Sequence, residues 1–269
     1  MTLPIFTASD DPGPSFAELL RRVRPTDALP SGGTPLDISQ ATTVVAVRYA
    51  DGVLMAGDRR ATSGNLISHR TMEKVFPADR HSGVAIAGAA GPAMEMVKLF
   101  QLQLEHYEKV EGTMLSLEGK ANQLAGMVRN HLPAAMQGFA VVPLFAGFDL
   151  RREQGRLYQY DVTGGRYEEA DHASTGSGSL HAGTVVKLGF RDGLTEEEVV
   201  DLALHALWQA ADADSATGGP DLIRGIFPVV ATITRQGFTR VDDGEVRTRF
   251  ESLLGRLTSQ QTGGTEPTA

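Results

Sequence analysis

The chain has 269 residues, no cysteine and a formal net charge of −8, with 33 acidic side chains against 25 basic ones. The lack of cysteine excludes disulfides and thiol catalysis, the acidic balance argues against nucleic acid as a partner, and the length allows a substantial core without covalent staples. Met1 to Asp11 (MTLPIFTASDD) has neither the basic start nor the apolar run of a secretory signal, and no window approaches the roughly 18 to 20 apolar residues of a membrane span, so a cytoplasmic chain with no membrane partner is expected.

The first 41 residues stand apart, because they hold six of the thirteen prolines. Within them only Ser15 to Val23 reads as a short helix, with Ser15 as a cap; DDPGP and LPSGGTP around it are turn and linker composition. At Thr42 the texture changes. Thr42 to Tyr49 (TTVVAVRY) is β-branched and alternating, Ala50-Asp51-Gly52 makes a turn, and Val53 to Gly57 returns as a second strand. Residues 73–76 (EKVF) and 83–87 (GVAIA) read as two more strands.

Two helices follow. Pro92 suits a first helical position, and Ala93, Met96, Phe100, Leu104 and Tyr107 then share one face. A second helix over 116–136 carries Leu117, Ala121, Leu124, Val128 and Leu132 on a stripe, with Pro133 expected to kink or shorten its last turn. Strands return at 143–150, 156–162 and 166–170, the last two joined by Gly164-Gly165. Helices are expected over 179–188 and 195–212, where Thr195 and Glu198 form a capping box. A final strand pair, 227–234 and 238–241, precedes a charged helix over 245–257 and a polar tail, 258–269, of disordered composition. Grouped strands alternating with grouped helices favour two antiparallel sheets with helix pairs outside them.

No metal or cofactor is expected, since the seven histidines show no HExxH spacing. The glycine turn Thr175 to Ser179 (TGSGS) lacks the lysine of a phosphate-binding loop, and no Gly-x-Ser-x-Gly elbow with a clear downstream Asp and His is present. What remains is an ordered set: Thr42-Thr43 opening a strand, Asp58-Arg59-Arg60 closing the next, Lys74, Ser177 in the glycine turn, and Asp214 to Gly219 (DSATGG) after a helix. Each alone has a plain structural explanation, as a strand end, a solvated charge or a turn.

Jointly they resemble the β subunits of the 20S proteasome, those of actinobacteria most closely. The likeness runs from Thr42 to about Arg256, through TTVVAVRYADGVLMAGDRRATSGN (42–65), Lys74, VAIAGAAG (84–91), LEHYEKVEG (104–112), AAMQG (134–138), TGSGSL (175–180) and DSATGGPDLIRGIFP (214–228). The spacing also matches, with Lys74 32 residues after Thr42. The resemblance implies an α+β fold, the four-layer αββα sandwich of the Ntn-hydrolases. It implies a zymogen in which residues 1–41 are a propeptide removed autocatalytically between Ala41 and Thr42, 42–257 are the protease domain and 258–269 the tail. The freed Thr42 would be the nucleophile of a threonine-type endopeptidase.

The same resemblance assigns roles residue by residue. Lys74 would lie beside the Thr42 hydroxyl, Asp58 would hold Lys74, and Ser177, Asp214 and Thr217 (where relatives often have serine) would position the α-amine and a water. The Gly88 N–H would form the oxyanion hole. The substrate pocket maps onto Ala61, Thr62, Met72, Ile86 and Ala90, which carry no charge, so apolar residues are expected before the cut. Relatives usually have glycine where Ala41 stands, so slower maturation is expected. The implied partners are a homoheptameric β ring, a second such ring, α subunits, an ATPase ring and unfolded protein substrates. Three other readings have discriminating features. A non-catalytic subunit of the same fold, such as an α subunit, would lack the Thr, Asp and Lys set. A small-molecule amidase would not hydrolyse casein, and the bacterial heat-shock relative is much shorter.

Overall fold

The computed structural model describes residues 42–262, and the expectations for residues 1–41, with the cut after Ala41, lie outside them, as does the chain from 263 onward. Period-two alternation explains the first sheet. In β1 (Thr43–Tyr49), Val45, Val47 and Tyr49 face one way while Val44 and Ala46 face the other, and both faces are buried. That is why almost every position of the strand is apolar. β2 (Gly52–Gly57) folds back on β1 across Ala50-Asp51, with Tyr49 opposite Gly52. β11 (Val229–Thr234) pairs with β2 and β12 (Gly237–Arg240) with β11. β10 (His172–Gly176) covers the other edge of β1, giving the order β10-β1-β2-β11-β12.

The second sheet is a meander, β5 (Val75–Asp79), β6 (Ser82–Gly88), β7 (Val141–Asp149), β8 (Gln154–Tyr160) and β9 (Arg166–Glu169), every neighbour antiparallel. Between the sheets lies a layer of Val44, Ala46, Met55, Ala85, Leu144, Ala146, Leu157, Ala231 and Ile233, among others. Alanines recur among these inward positions, which lets the two backbones approach as sandwich sheets do.

Helices close both outer faces. α1 (Ala90–Glu111) and α2 (Leu117–Asn130) set Phe100, Leu104, Leu124 and Val128 against Ile86, Phe145 and Tyr158 of the second sheet. On the other side α4 (Ser179–Gly189), α5 (Glu196–Ala213) and α6 (Asp243–Thr262) pack Val186, Leu204, Leu207 and Phe250 on Val45, Val47 and Leu54. The four layers are helix, sheet, sheet, helix, as the α+β expectation has it. Among the described residues no helix is long and apolar enough to cross a membrane.

Several boundaries differ from the sequence pattern, each for a local reason. Pro92 is the third residue of α1 rather than the first, tolerated because first-turn N–H groups have no partner within the helix. The helix expected over 116–136 is cut at His131, and Leu132–Ala135 form a separate turn, α3, with Pro133 in it. Strand β5 starts at Val75, leaving Lys74 in the connection before it. An exposed hairpin, β3 (Ala61–Ser63) with β4 (Leu66–His69), and the short β10 carry too little alternation to be read from sequence. The tail expected from 258 is helical as far as Thr262. Thr258 and Ser259 donate their hydroxyls to the carbonyls of Leu254 and Gly255, which lets polar residues stay in the helix.

Candidate active site

The two strands that open the first sheet end at one point. Thr42, only 5 % exposed, immediately precedes β1, and its carbonyl accepts a hydrogen bond from the Ser177 N–H at 2.9 Å. The close approach is possible because residue 176 is glycine, held at φ +104°; a Cβ there would stand 1.7 Å from the Thr42 carbonyl oxygen.

Asp58 follows the last residue of β2 and is fully buried. Its Oδ1 accepts from the Thr43 N–H at 2.9 Å and from Lys74 Nζ at 2.6 Å. Its Oδ2 accepts from the N–H groups of Arg60 at 2.9 Å and Gly218 at 2.8 Å. Four donors thus surround one carboxylate, and one oxygen joins the Lys74 ammonium to the peptide nitrogen that follows Thr42. Lys74 is 1 % exposed and also donates to the Arg60 carbonyl at 2.6 Å. Burial pushes the Lys74 ammonium below its ordinary range, opposed by the neighbouring Asp58 charge and, from farther off, by Asp214. A lysine so depressed gives up a proton more readily than a surface one.

A second cluster sits beside the first. The Ser177 and Thr217 hydroxyls both donate to Asp214 Oδ2, at 2.5 and 2.6 Å, and the Ala216 N–H donates to Oδ1 at 3.1 Å. Partial burial pushes the Asp214 carboxyl up, but these three hydrogen bonds outweigh it and hold the group below the usual carboxylate range. Asp214 caps the end of α5, and Ser177 lies just ahead of α4, so the two helices of one outer layer position the pair.

Gly88 ends β6 at φ +109°, where a Cβ would meet the Ala140 carbonyl oxygen at 2.1 Å. Ile86, two residues earlier, donates its N–H to the Lys74 carbonyl at 2.9 Å, and Met72 donates its own to the Arg59 carbonyl at 3.0 Å. Ala61 and Thr62 open β3, and Ala90 opens α1. Ile86 is nearly inaccessible and packs in the core between α1, α2 and the second sheet.

Two residues named in the sequence pattern were assigned no role there. Arg60 supplies its carbonyl to Lys74, its N–H to Asp58 and its guanidinium to the Ser215 carbonyl at 2.7 Å. Thr43 bonds both clusters, and the doubled threonine was the only sequence signal for it.

A protein-family model described as Proteasome subunit matches residues 38–223. The chain is 57 % identical over 248 residues to a protein named proteasome subunit beta from Acidimicrobium ferrooxidans, covering 91 % of each chain. It is 56 % identical over 236 residues to a protein of the same name from Streptomyces griseus, covering 88 % of this chain and 84 % of that one.

Proposed function

The chain belongs to the proteasome subunit family, and from that premise we propose that it is a catalytic β subunit of a 20S proteasome core, a threonine-type endopeptidase made as a zymogen. The observation that carries the reading is the buried Asp58–Lys74 pair, tied through Asp58 Oδ1 to the N–H directly after Thr42. A buried lysine beside a strand-end threonine is costly unless it has work to do, and polarising a hydroxyl is work of that kind.

In the proposed reaction, cleavage after Ala41 frees the Thr42 α-amine, whose ordinary pKa of about 7.7 to 8.0 lies near neutral pH. Thr42 Oγ attacks the substrate carbonyl carbon while its proton passes to the α-amine, with Lys74 lowering the cost of the developing alkoxide. The Gly88 N–H receives the carbonyl oxygen as it becomes an oxyanion. The C–N bond then breaks, the α-amine returns the proton to the leaving amine, and an ester to Thr42 remains. Water, positioned by Ser177, Thr217 and Asp214, hydrolyses that ester with the α-amine again as base.

Ala61, Thr62, Met72 and Ala90 form the proposed pocket for the residue before the cut, with the core residue Ile86 behind them, and their uncharged side chains favour apolar ones. The proposal extends to assembly: seven copies in a ring, two rings stacked between rings of α subunits, and an ATPase ring delivering unfolded chains in the cytoplasm. Enclosure would protect other proteins from a nucleophile with little sequence preference.

The test is intact mass together with hydrolysis, on particles assembled with α subunits. Wild-type particles should lose the first 41 residues and cleave both casein and fluorogenic peptides, fastest after apolar residues. Thr42→Ala should keep its full length and lose both activities. Processed particles that cleave small amides but not casein, or a Thr42→Ala particle of undiminished turnover, would overturn the reading.

A further inference from the structure

We propose that Thr43 is a positioning residue for the hydrolysis, its hydroxyl holding Thr217 and through it Asp214 in the arrangement the reaction needs; this rests on the function proposed above. Thr43 is fully buried. Its Oγ1 lies 2.6 Å from Thr217 Oγ1 and accepts from the Gly178 N–H at 3.0 Å.

The direction of each bond follows from the number of protons available. A hydroxyl has one proton to give and lone pairs to receive with. Thr217 spends its proton on Asp214 Oδ2, so towards Thr43 its oxygen can only accept. The Thr43 hydroxyl must therefore donate to Thr217, and its remaining lone pair takes the Gly178 proton. One ordered chain results, from the Gly178 N–H through Thr43 and Thr217 to the Asp214 carboxylate, and each bond polarises the next.

Two further features fit this role. A Cβ on residue 178 would stand 2.5 Å from Thr43 Oγ1 and 2.7 Å from Thr217 Oγ1, so the hydroxyl pair occupies the space a side chain there would need. The Thr43 N–H meanwhile donates to Asp58 Oδ1, the oxygen that also holds Lys74. One residue thereby joins the lysine cluster to the Asp214 cluster directly behind the nucleophile. His181, on α4, and Lys74 are among the charged and titratable groups that interact with Asp214.

The experiment compares Thr43→Val, which keeps the shape and removes the hydroxyl, with Thr43→Ser, which restores it, in processed and assembled particles. Thr43→Val should lower kcat on the order of tenfold, the rate equivalent of one lost hydrogen bond, with KM changed less than about twofold. Thr43→Ser should recover kcat to within about threefold of wild type. A Thr43→Val particle with unchanged kcat overturns the proposal, and so does a Thr43→Ser particle as impaired as the valine one.

Should the valine variant fail to assemble, Gly178→Ala serves instead. Its backbone, φ −88° and ψ 7°, suits any residue, so the added methyl acts chiefly on the hydroxyl pair. A kcat loss matching that of a Thr217→Val particle, with no further loss when the two changes are combined, supports one chain; multiplying losses overturn it. The Thr42→Ala particle separates the two levels. Activity surviving in it sinks the underlying function, whereas a silent Thr43→Val beside an inactive Thr42→Ala sinks only the role of Thr43.

Discussion

Lys74 and Asp58 face each other with almost no solvent between or around them, and at this scale the geometry makes its sharpest demands. Removing one partner of such a pair strands the other charge. Asp58→Asn should therefore destabilise the chain by about 3 to 5 kcal/mol, seen as a lower urea midpoint, and abolish peptide hydrolysis. Adding Lys74→Met to it should recover much of the stability and none of the activity, which separates folding from chemistry. The pH dependence is argued from the same neighbourhood. The α-amine must be neutral to accept the hydroxyl proton, so kcat/KM of the mature wild-type particle should rise across about pH 7 to 8. Asp214 is held below the usual carboxylate range and stays charged throughout that window; a limb that moves there in Asp214→Asn would contradict the assignment. Of this chemistry, Thr42, Asp58 and Lys74 were legible because a resemblance links residues far apart in the chain. Thr43 and Arg60 were not, since their roles depend on a hydroxyl direction and a backbone carbonyl, and neither leaves a pattern in residue type.

Among the elements, those with a signal of their own were readable. α5 starts at its capping box, with Thr195 Oγ1 and the Glu198 carboxylate each bonding the other's N–H at 3.3 and 2.9 Å. Thr195→Ala should cost about 1 kcal/mol by urea unfolding. β3, β4 and β10 were invisible because pairing, and not composition, makes them strands: β10 reads HASTG and depends on β1 for its register. The β7–β8–β9 edge is clasped by Arg156, whose guanidinium bonds Glu168 through two nitrogens at 2.6 Å each and Asp149 at 3.0 Å. Hydrogen bonds from Arg156 hold the Glu168 carboxyl down; at Asp149 burial acts upward, but backbone and Arg156 donors outweigh it. Both folded-state values lie below the unfolded ones, near 4, so this stabilisation is fully present above that pH and is lost as pH falls through the folded values. Glu168→Gln should accordingly flatten the acid side of the stability curve, which circular dichroism in a pH titration would record. An unchanged acid transition would show that the clasp contributes nothing there.

For the whole molecule, two sheets held between helix layers bring the start of β1, the end of β2, the connection into β5 and the turn ahead of α4 to one point. The proposed maturation belongs to this scale, because on that reading residues 1–41 are lost from an assembling particle. Ala41→Gly should speed precursor loss severalfold in a time course of intact masses if cleavage passes through a positive φ at that residue, which costs glycine roughly 1 kcal/mol less than alanine. Equal rates would mean that cleavage needs no unusual backbone angle there. On the proposed reading the cut also has to be correct to a single residue. Two neighbouring threonines offer two alcohol-bearing starts, and at the second the hydroxyl is held by Gly178 and Thr217 while the nitrogen rests on Asp58. A particle engineered to begin at Thr43 should fold, assemble and stay inert, so an off-by-one trimming error produces a silent chamber and not one with altered appetite.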